Sequence, residues 1–355
     1  MNPSEETRGE IQDHPYIDKT FQLRMRPYIK ILNEGEIKKY FEKVGIALEQ
    51  LKKIGKKPGD VLKIMEDIGL CLSRNSGKNF TSDYQKIDLS KGRELWAIQL
   101  PCGGNLNLIR TSEGDIVLDT GYGYYFDDVN KMLYTLGIEG FTHVKKIICT
   151  HADADHCGAA GYLPAIPFMH PVTKQILDTG TRRFGSNHLN KELEWIFTTT
   201  INIFSKTNIP DIVDLCKTEP KKMRGLFPVI DEIDFGGLHF EIWESLGGHI
   251  AGQLFIYEKN EGLLFTSDTL INITSMTKSQ KDYCSIANYL IASVNVDSET
   301  ARIERQELLR IAKDIDEKLK KKGKRLHLCC GHGAVSILTN NGDMIFACKP
   351  KHYAA

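Results

Sequence analysis

Two histidines and two aspartates stand within six residues in the stretch CTHADADHCGAAG, residues 149–161. His151, Asp153, Asp155 and His156 occupy positions i, i+2, i+4 and i+5. Imidazole nitrogen and carboxylate oxygen are ligands for divalent metals, and one tight turn with this spacing can reach two adjacent cations. Three further loops carry a group of the same kind, each after a β-rich run. His249 lies in GGHIAGQ, Asp268 in FTSDT and His332 in CCGHGA. Taken singly, a loop histidine is more often a packing or surface group than a ligand. The first cluster lends the other three their weight.

The elements around these loops read as an alternation of strands and helices from about residue 84. ELWAIQL, NLNLIRT and DIVLDTG are short β-rich runs separated by Gly, Ser and Pro. FDDVNKMLYTLG reads as a helix ending on Gly137. VKKIICT is a buried-type strand that runs straight into the cluster, an address common for catalytic groups. LHFEIWES, GQLFIYEK, GLLFTSD and RLHLCC are further strands, a charged helix covers about 298–322, and AVSILTNNGDMIFACK turns as a hairpin at Asn340-Asn341-Gly342. Residues 181–228 have no place in this alternation; NKELEWIFTTTINIFSK and PDIVDLCK within them read as helices of an insertion.

Residues 1–82 differ in kind. Ile37, Phe41, Val44, Leu48 and Leu51 recur at helical spacing among lysines and glutamates, and a second helix opens on Pro58-Gly59. This reads as a helical N-terminal extension whose apolar face packs on the remainder or forms a homodimer. Lys+Arg and Asp+Glu both number 46, so the balance supports no nucleic-acid partner. No apolar run of about 18 residues appears and no membrane span is expected. The polar, acidic N-terminus does not read as a signal peptide, and nine scattered cysteines without a C-x-x-C fit reduced thiols. A cytoplasmic location is the expectation.

The ordered motifs resemble those of the metallo-β-lactamase superfamily: His-x-His-x-Asp-His after a strand, then a Gly-His loop, a strand-end Asp and a final His. The resemblance covers about residues 94 to 335. IVLDTG is similar to the family's strand motif in which an aspartate, here Asp119, supports the metal loops. The resemblance implies an α/β fold, the αββα sandwich, over residues 83–355, with the insertion at about 181–228 partly capping the site. Carried over, His151 and His249 bind a first metal, Asp155, His156 and His332 a second, and Asp268 bridges the two. A hydroxide held between two divalent metals would be the nucleophile. Asp155 could orient it or accept its proton.

The sequence departs from the family at Asp153, where the usual residue is a second histidine. A third carboxylate reduces the net positive charge of the site and hardens it toward iron or manganese rather than zinc. Two enzymatic readings follow, and a non-catalytic, metal-loaded sensor is a third. The first is hydrolysis of a small-molecule ester, lactone, thioester or phosphoester; β-lactam turnover itself is not expected. The second is diiron redox chemistry with oxygen or nitric oxide, because the flavodiiron proteins of the superfamily place a glutamate at this position. The eighteen residues between His249 and Asp268 are also similar to the flavodiiron spacing. For substrate contact, the residues of choice are Tyr122, Tyr124 and Tyr125 in GYGYYF and His188 in the insertion.

Overall fold

The computed structural model describes residues 17, 19–29, 33–53, 55, 57–180, 182, 191–286 and 294–355. Two sheets of eight strands each carry the fold among these residues. The first sheet takes in order β1 (Thr81–Asp88), β2 (Glu94–Gln99), β3 (Asn105–Thr111), β4 (Gly114–Leu118), β5 (Val144–Ile148), β6 (Pro167–Met169) and β7 (Asp214–Leu215). The second runs through β8 (Lys222–Arg224), β9 (Phe227–Phe235), β10 (Leu238–Glu244), β11 (Leu254–Glu258), β12 (Leu263–Phe265), β13 (His327–Cys329), β14 (Ser336–Leu338) and β15 (Met344–Phe346). The last strand, β16 (Lys351–Ala354), crosses back to pair antiparallel with β1.

Alternation along the strands sorts side chains into layers, since successive residues point to opposite faces. Leu95 and Ala97 of β2 join Phe240 and Ile242 of β10 and Leu254 and Ile256 of β11 in the core between the sheets. Trp96 and Ile98, one residue out of phase, belong to the core on the far side of the first sheet. Trp243, Phe255 and Tyr257 likewise face the outer side of the second sheet. The helices close these outer faces. They are α1 (Lys19–Ile29), α2 (Glu34–Lys53), α3 (Pro58–Arg74), α4 (Phe126–Thr135), α5 (Ala154–Cys157), α6 (Pro171–Thr179), α7 (Lys191–Phe204), α8 (Lys278–Ile286) and α9 (Ser298–Lys320). On α9, Leu308, Ile311, Ala312 and Leu319 cover the second sheet, and Asp297 caps the helix by accepting from the amides of Glu299 and Thr300. The result is an αββα sandwich.

The stripe on α2 buries Ile37, Phe41, Val44, Leu48 and Leu51 within the chain. Each such side chain contributes about 1.5–3 kcal/mol when fully buried. The helix packs on α3 and α7, and the Tyr40 hydroxyl meets Thr200 Oγ1 of α7 at 2.9 Å. The N-terminal helices thus share one core with the outer face of the first sheet. No helix among the described residues is long and apolar enough to cross a membrane.

The stretch 181–228 is helical only in part. PDIVDLCK, expected to be a helix, contains β7, which pairs parallel to β6 through Phe168–Asp214 and Met169–Leu215. The amide of Cys216 then donates to the Met169 carbonyl at 3.0 Å. An open sheet edge outcompeted a short helix here. Ile212 and Leu215, which a helix would have buried on one face, are exposed. Further along, β8 and the start of β9 also fall in this stretch.

Candidate metal centre

Strand direction gathers the chemical groups. β4 and β5 run parallel, and β12 runs parallel to β13. β10 and β12 both lie antiparallel to β11, so they share one direction. Each chemical loop leaves a C-terminal strand end: Asp119 after β4, the cluster after β5, His249 after β10, Asp268 after β12 and His332 after β13. Seven side chains from four loops meet at one place. The ligand atoms of His151, Asp153 and His249 lie within 4.8 Å of one another, as do those of Asp155, His156 and His332, and those of His151, His156 and Asp268. Asp268 stands between the other two groups: its Oδ1 is 3.1 Å from His156 Nε2, and its Oδ2 is 3.2 Å from His332 Nε2 and 3.7 Å from His249 Nε2.

The donor atoms are left without partners. Nε2 of His151, Nε2 of His156 and Oδ1 of Asp268 are buried and accept or donate no aligned hydrogen bond among the described residues. A buried polar group left so costs about 1–3 kcal/mol. Divalent ions at these atoms would remove that cost, and nitrogen and oxygen donors of this mix suit zinc, iron or manganese. The residues therefore fit a metal pair.

A second layer of hydrogen bonds turns the rings. The Asp119 carboxylate accepts at Oδ1 from the Thr150 amide (2.7 Å), and at Oδ2 from the Thr150 hydroxyl and from His156 Nδ1, both at 2.8 Å. Because the Thr150 hydroxyl donates to Asp119, its oxygen accepts from His151 Nδ1 at 2.9 Å. His249 Nδ1 faces Asn295 Oδ1 at 3.1 Å. In all three rings the proton belongs on Nδ1 and the lone pair on Nε2, where a metal can use it. Asp119 holds φ of 57°, a left-handed turn that aspartate tolerates better than most side chains. Two glycines allow the close approach. A Cβ on Gly331 would come within 2.0 Å of Asp268 Oδ1, and one on Gly104 within 2.7 Å of the His156 ring.

Without metal, the site stores protons. Burial pulls His156 down, but the carboxylates of Asp268, Asp155 and Asp119 together raise it well above the usual imidazole range. His332 is raised for the same reason, burial being outweighed by Asp268. Burial and the neighbouring His156 lower His151. Burial pushes Asp268 up, yet His332 and His156 hold it well below the usual carboxylate range. A metal and a proton compete for His156 Nε2, so metal affinity falls as pH falls. Zinc loading of the metal-free chain at neutral pH should release about one proton or more per chain. Calorimetry in buffers of different ionisation enthalpy measures this, and zero release would contradict a protonated His156.

The family model described as the metallo-beta-lactamase superfamily matches residues 100–314. This chain belongs to the metallo-β-lactamase superfamily. No curated relative matches it. Among solved structures, it is similar to a metallo-beta-lactamase from Pontibacter korlensis at 13% identity and TM-score 0.40, over 71% of this chain and 92% of that one. A metallo-beta-lactamase from Cronobacter sakazakii gives 12% identity and TM-score 0.40 over 70% and 78%. A mutant flavo di-iron protein from Thermotoga maritima gives 14% and 0.39 over 72% of this superfamily member and 58% of that chain.

A cavity of about 120 Å³ opens beside the seven groups. Ile201, Ile271, Val294, Tyr122 and Tyr283 give it apolar walls, and Asp153, Asp155, Asp268, His249 and His332 face it from the metal side. Helix α7 supplies Thr198, Ile201 and Asn202, so the helical part of 181–228 does border the site. Of the three tyrosines expected at the substrate, only Tyr122 lines the cavity. Tyr125 is packed in the core with its hydroxyl on the Leu72 carbonyl, and Tyr124 lies under the Lys206 ammonium. The turn Gly123–Tyr125 rotates successive rings apart, which sequence adjacency does not reveal. His188 lies outside the described residues. Three residues at the site carry no signal in the sequence: Arg182, Asn295 and Tyr283. Each is a single polar residue in an unremarkable stretch, placed by packing alone.

Proposed function

We propose that this chain is a dinuclear metal-dependent hydrolase acting on a small ester, lactone, thioester or phosphoester. The observation that carries the reading is the set of buried, unpartnered ligand atoms of His151, His156 and Asp268, of which Asp268 lines a mostly apolar cavity together with Asp153, Asp155, His249 and His332. His151, Asp153 and His249 would hold the first ion, Asp155, His156 and His332 the second, with Asp268 between them. Two bound divalent ions supply Lewis acidity and lower the pKa of an attacking water.

The chain's own groups do the rest. Asp155 Oδ2 stands 3.4 Å from His332 Nε2 and 3.6 Å from His156 Nε2 at the cavity wall, placed to take the proton of the attacking water. The Tyr283 hydroxyl is buried in that wall beside Tyr122 and makes no aligned hydrogen bond among the described residues. It can donate to the carbonyl or phosphoryl oxygen of a substrate. Ile201, Ile271 and Val294 surround the apolar part of the substrate and exclude water. The three carboxylates favour a second reading, diiron redox chemistry.

Metal analysis and an absorption spectrum of protein purified without oxygen separate the two. Two zinc ions per chain with turnover of an ester, thioester or phosphoester panel support hydrolysis. Two irons, a visible band on oxidation and oxygen consumption would overturn it in favour of redox chemistry. Full metal loading with no turnover in any assay would leave a sensor.

A further inference from the structure

Arg182 is buried, at 4% exposure. A guanidinium taken out of water needs a partner, and the partner shows what it serves. Its one ion pair among the described residues is with Asp153, Nε to Oδ1 at 2.8 Å. Nη2 donates to the Val294 carbonyl at 2.7 Å and lies 3.4 Å from His249 Nε2. The other oxygen of Asp153 turns the opposite way. Oδ2 is 3.3 Å from His249 Nε2 and 3.7 Å from His151 Nε2. The carboxylate thus spans the gap between a fixed cation and the histidine pair of the first metal position.

We propose that Arg182 is the charge partner of Asp153 at the first metal position, cancelling the negative charge that Asp153 adds to the centre. The inference rests on the dinuclear reading above. Two divalent ions against three carboxylates leave one positive charge, and Arg182 raises this to two. A neutral histidine at position 153 with no arginine beside it leaves the same two. The Asp153–Arg182 pair is therefore the electrostatic equivalent of the histidine that the family usually places there. The third carboxylate does not by itself blunt the Lewis acidity of the centre, and zinc hydrolysis and an aspartate at 153 are compatible.

A double-substitution cycle tests this, with zinc and manganese affinity measured against a chromophoric chelator on the full chain. A unit charge this close to a divalent ion changes its affinity by roughly tenfold or more. Arg182→Gln, which makes the site more negative, should tighten the weaker-binding ion by about that factor. Asp153→Asn, which leaves the guanidinium unopposed, should weaken it by about as much. The double variant should return to within about threefold of the wild type, because the two opposite charge effects cancel. Should Arg182→Gln misfold, Arg182→Met tests the same loss of charge, and Arg182→Lys should keep wild-type affinity. Weakening by Arg182→Gln or Arg182→Met to the same extent as Asp153→Asn would overturn the proposal and leave Arg182 a packing residue. A wild-type chain that binds no more than one metal overturns the dinuclear reading itself, and this inference with it. A chain that binds two metals but whose weaker-binding ion is not tightened by Arg182→Gln overturns the inference alone.

Discussion

Replacing Asp268 with alanine is expected to empty the metal centre and abolish turnover. Among the described residues, Asp268 is the carboxylate that approaches histidines of both ligand groups, His249 on one side and His156 and His332 on the other. Of the ligand histidines, Asp153 approaches His151 and His249, and Asp155 approaches His156 and His332. Two divalent ions held by these groups would repel each other, and the Asp268 carboxylate between the two ligand sets would offset that repulsion. With a methyl group there, the chain should retain fewer than one ion after brief chelator treatment, and kcat should fall by about a thousandfold or more. Elemental analysis and steady-state kinetics read both effects, with far-UV circular dichroism as the check on folding. Two retained ions with full turnover would remove Asp268 from the centre. The same substitution should also lower the proton release on zinc loading, because Asp268 is the foremost of the carboxylates that raise His156.

The second large effect belongs to a residue that touches no substrate. Asp119→Asn keeps the shape of the side chain and tolerates the left-handed backbone at that position. It exchanges one acceptor for a donor. The amide oxygen must stay on the Thr150 backbone N–H, which cannot turn away, so the new NH2 group faces the Thr150 hydroxyl and His156 Nδ1. His156 must then move its proton to Nε2, the atom a metal needs. The Thr150 hydroxyl, no longer donating to residue 119, donates to His151 Nδ1 and forces the same change there. One atom exchanged thus flips two ligand rings, and affinity should fall about 10–100-fold. A chelator-competition titration measures the loss. Equal affinity in the wild type and the Asp119→Asn variant would show that the relay does not set the ring tautomers.

Much of the fold could be read along the chain. The cluster His151, Asp153, Asp155, His156 is a local object: residues i to i+5 share one turn wherever the rest of the chain goes. The strand alternation around Leu95–Ile98, the α9 stripe and the hairpin of β14 and β15, paired across Ser336–Phe346 to Leu338–Met344, are also local, because period and turn chemistry act over a few residues. The order of the loops along the sequence was enough to place the chain in its superfamily.

Other features depend on contacts between distant parts of the chain, and these only the tertiary structure decided. PDIVDLCK supplies a strand because the edge of β6 offered unpaired backbone groups, a fact about residues 168 and 169 rather than about its own composition. Tyr122 faces the cavity while Tyr124 and Tyr125 do not, since the turn that separates them is set by packing against Leu72 and Lys206. Above all, Asp153 read alone is an extra negative charge that points away from hydrolytic zinc. Beside Arg182, 29 residues further along the chain, it is half of a neutral pair. Charge adds over distance in space, not along the sequence, and so the electrostatics of this centre took their sign only when the chain had closed on itself.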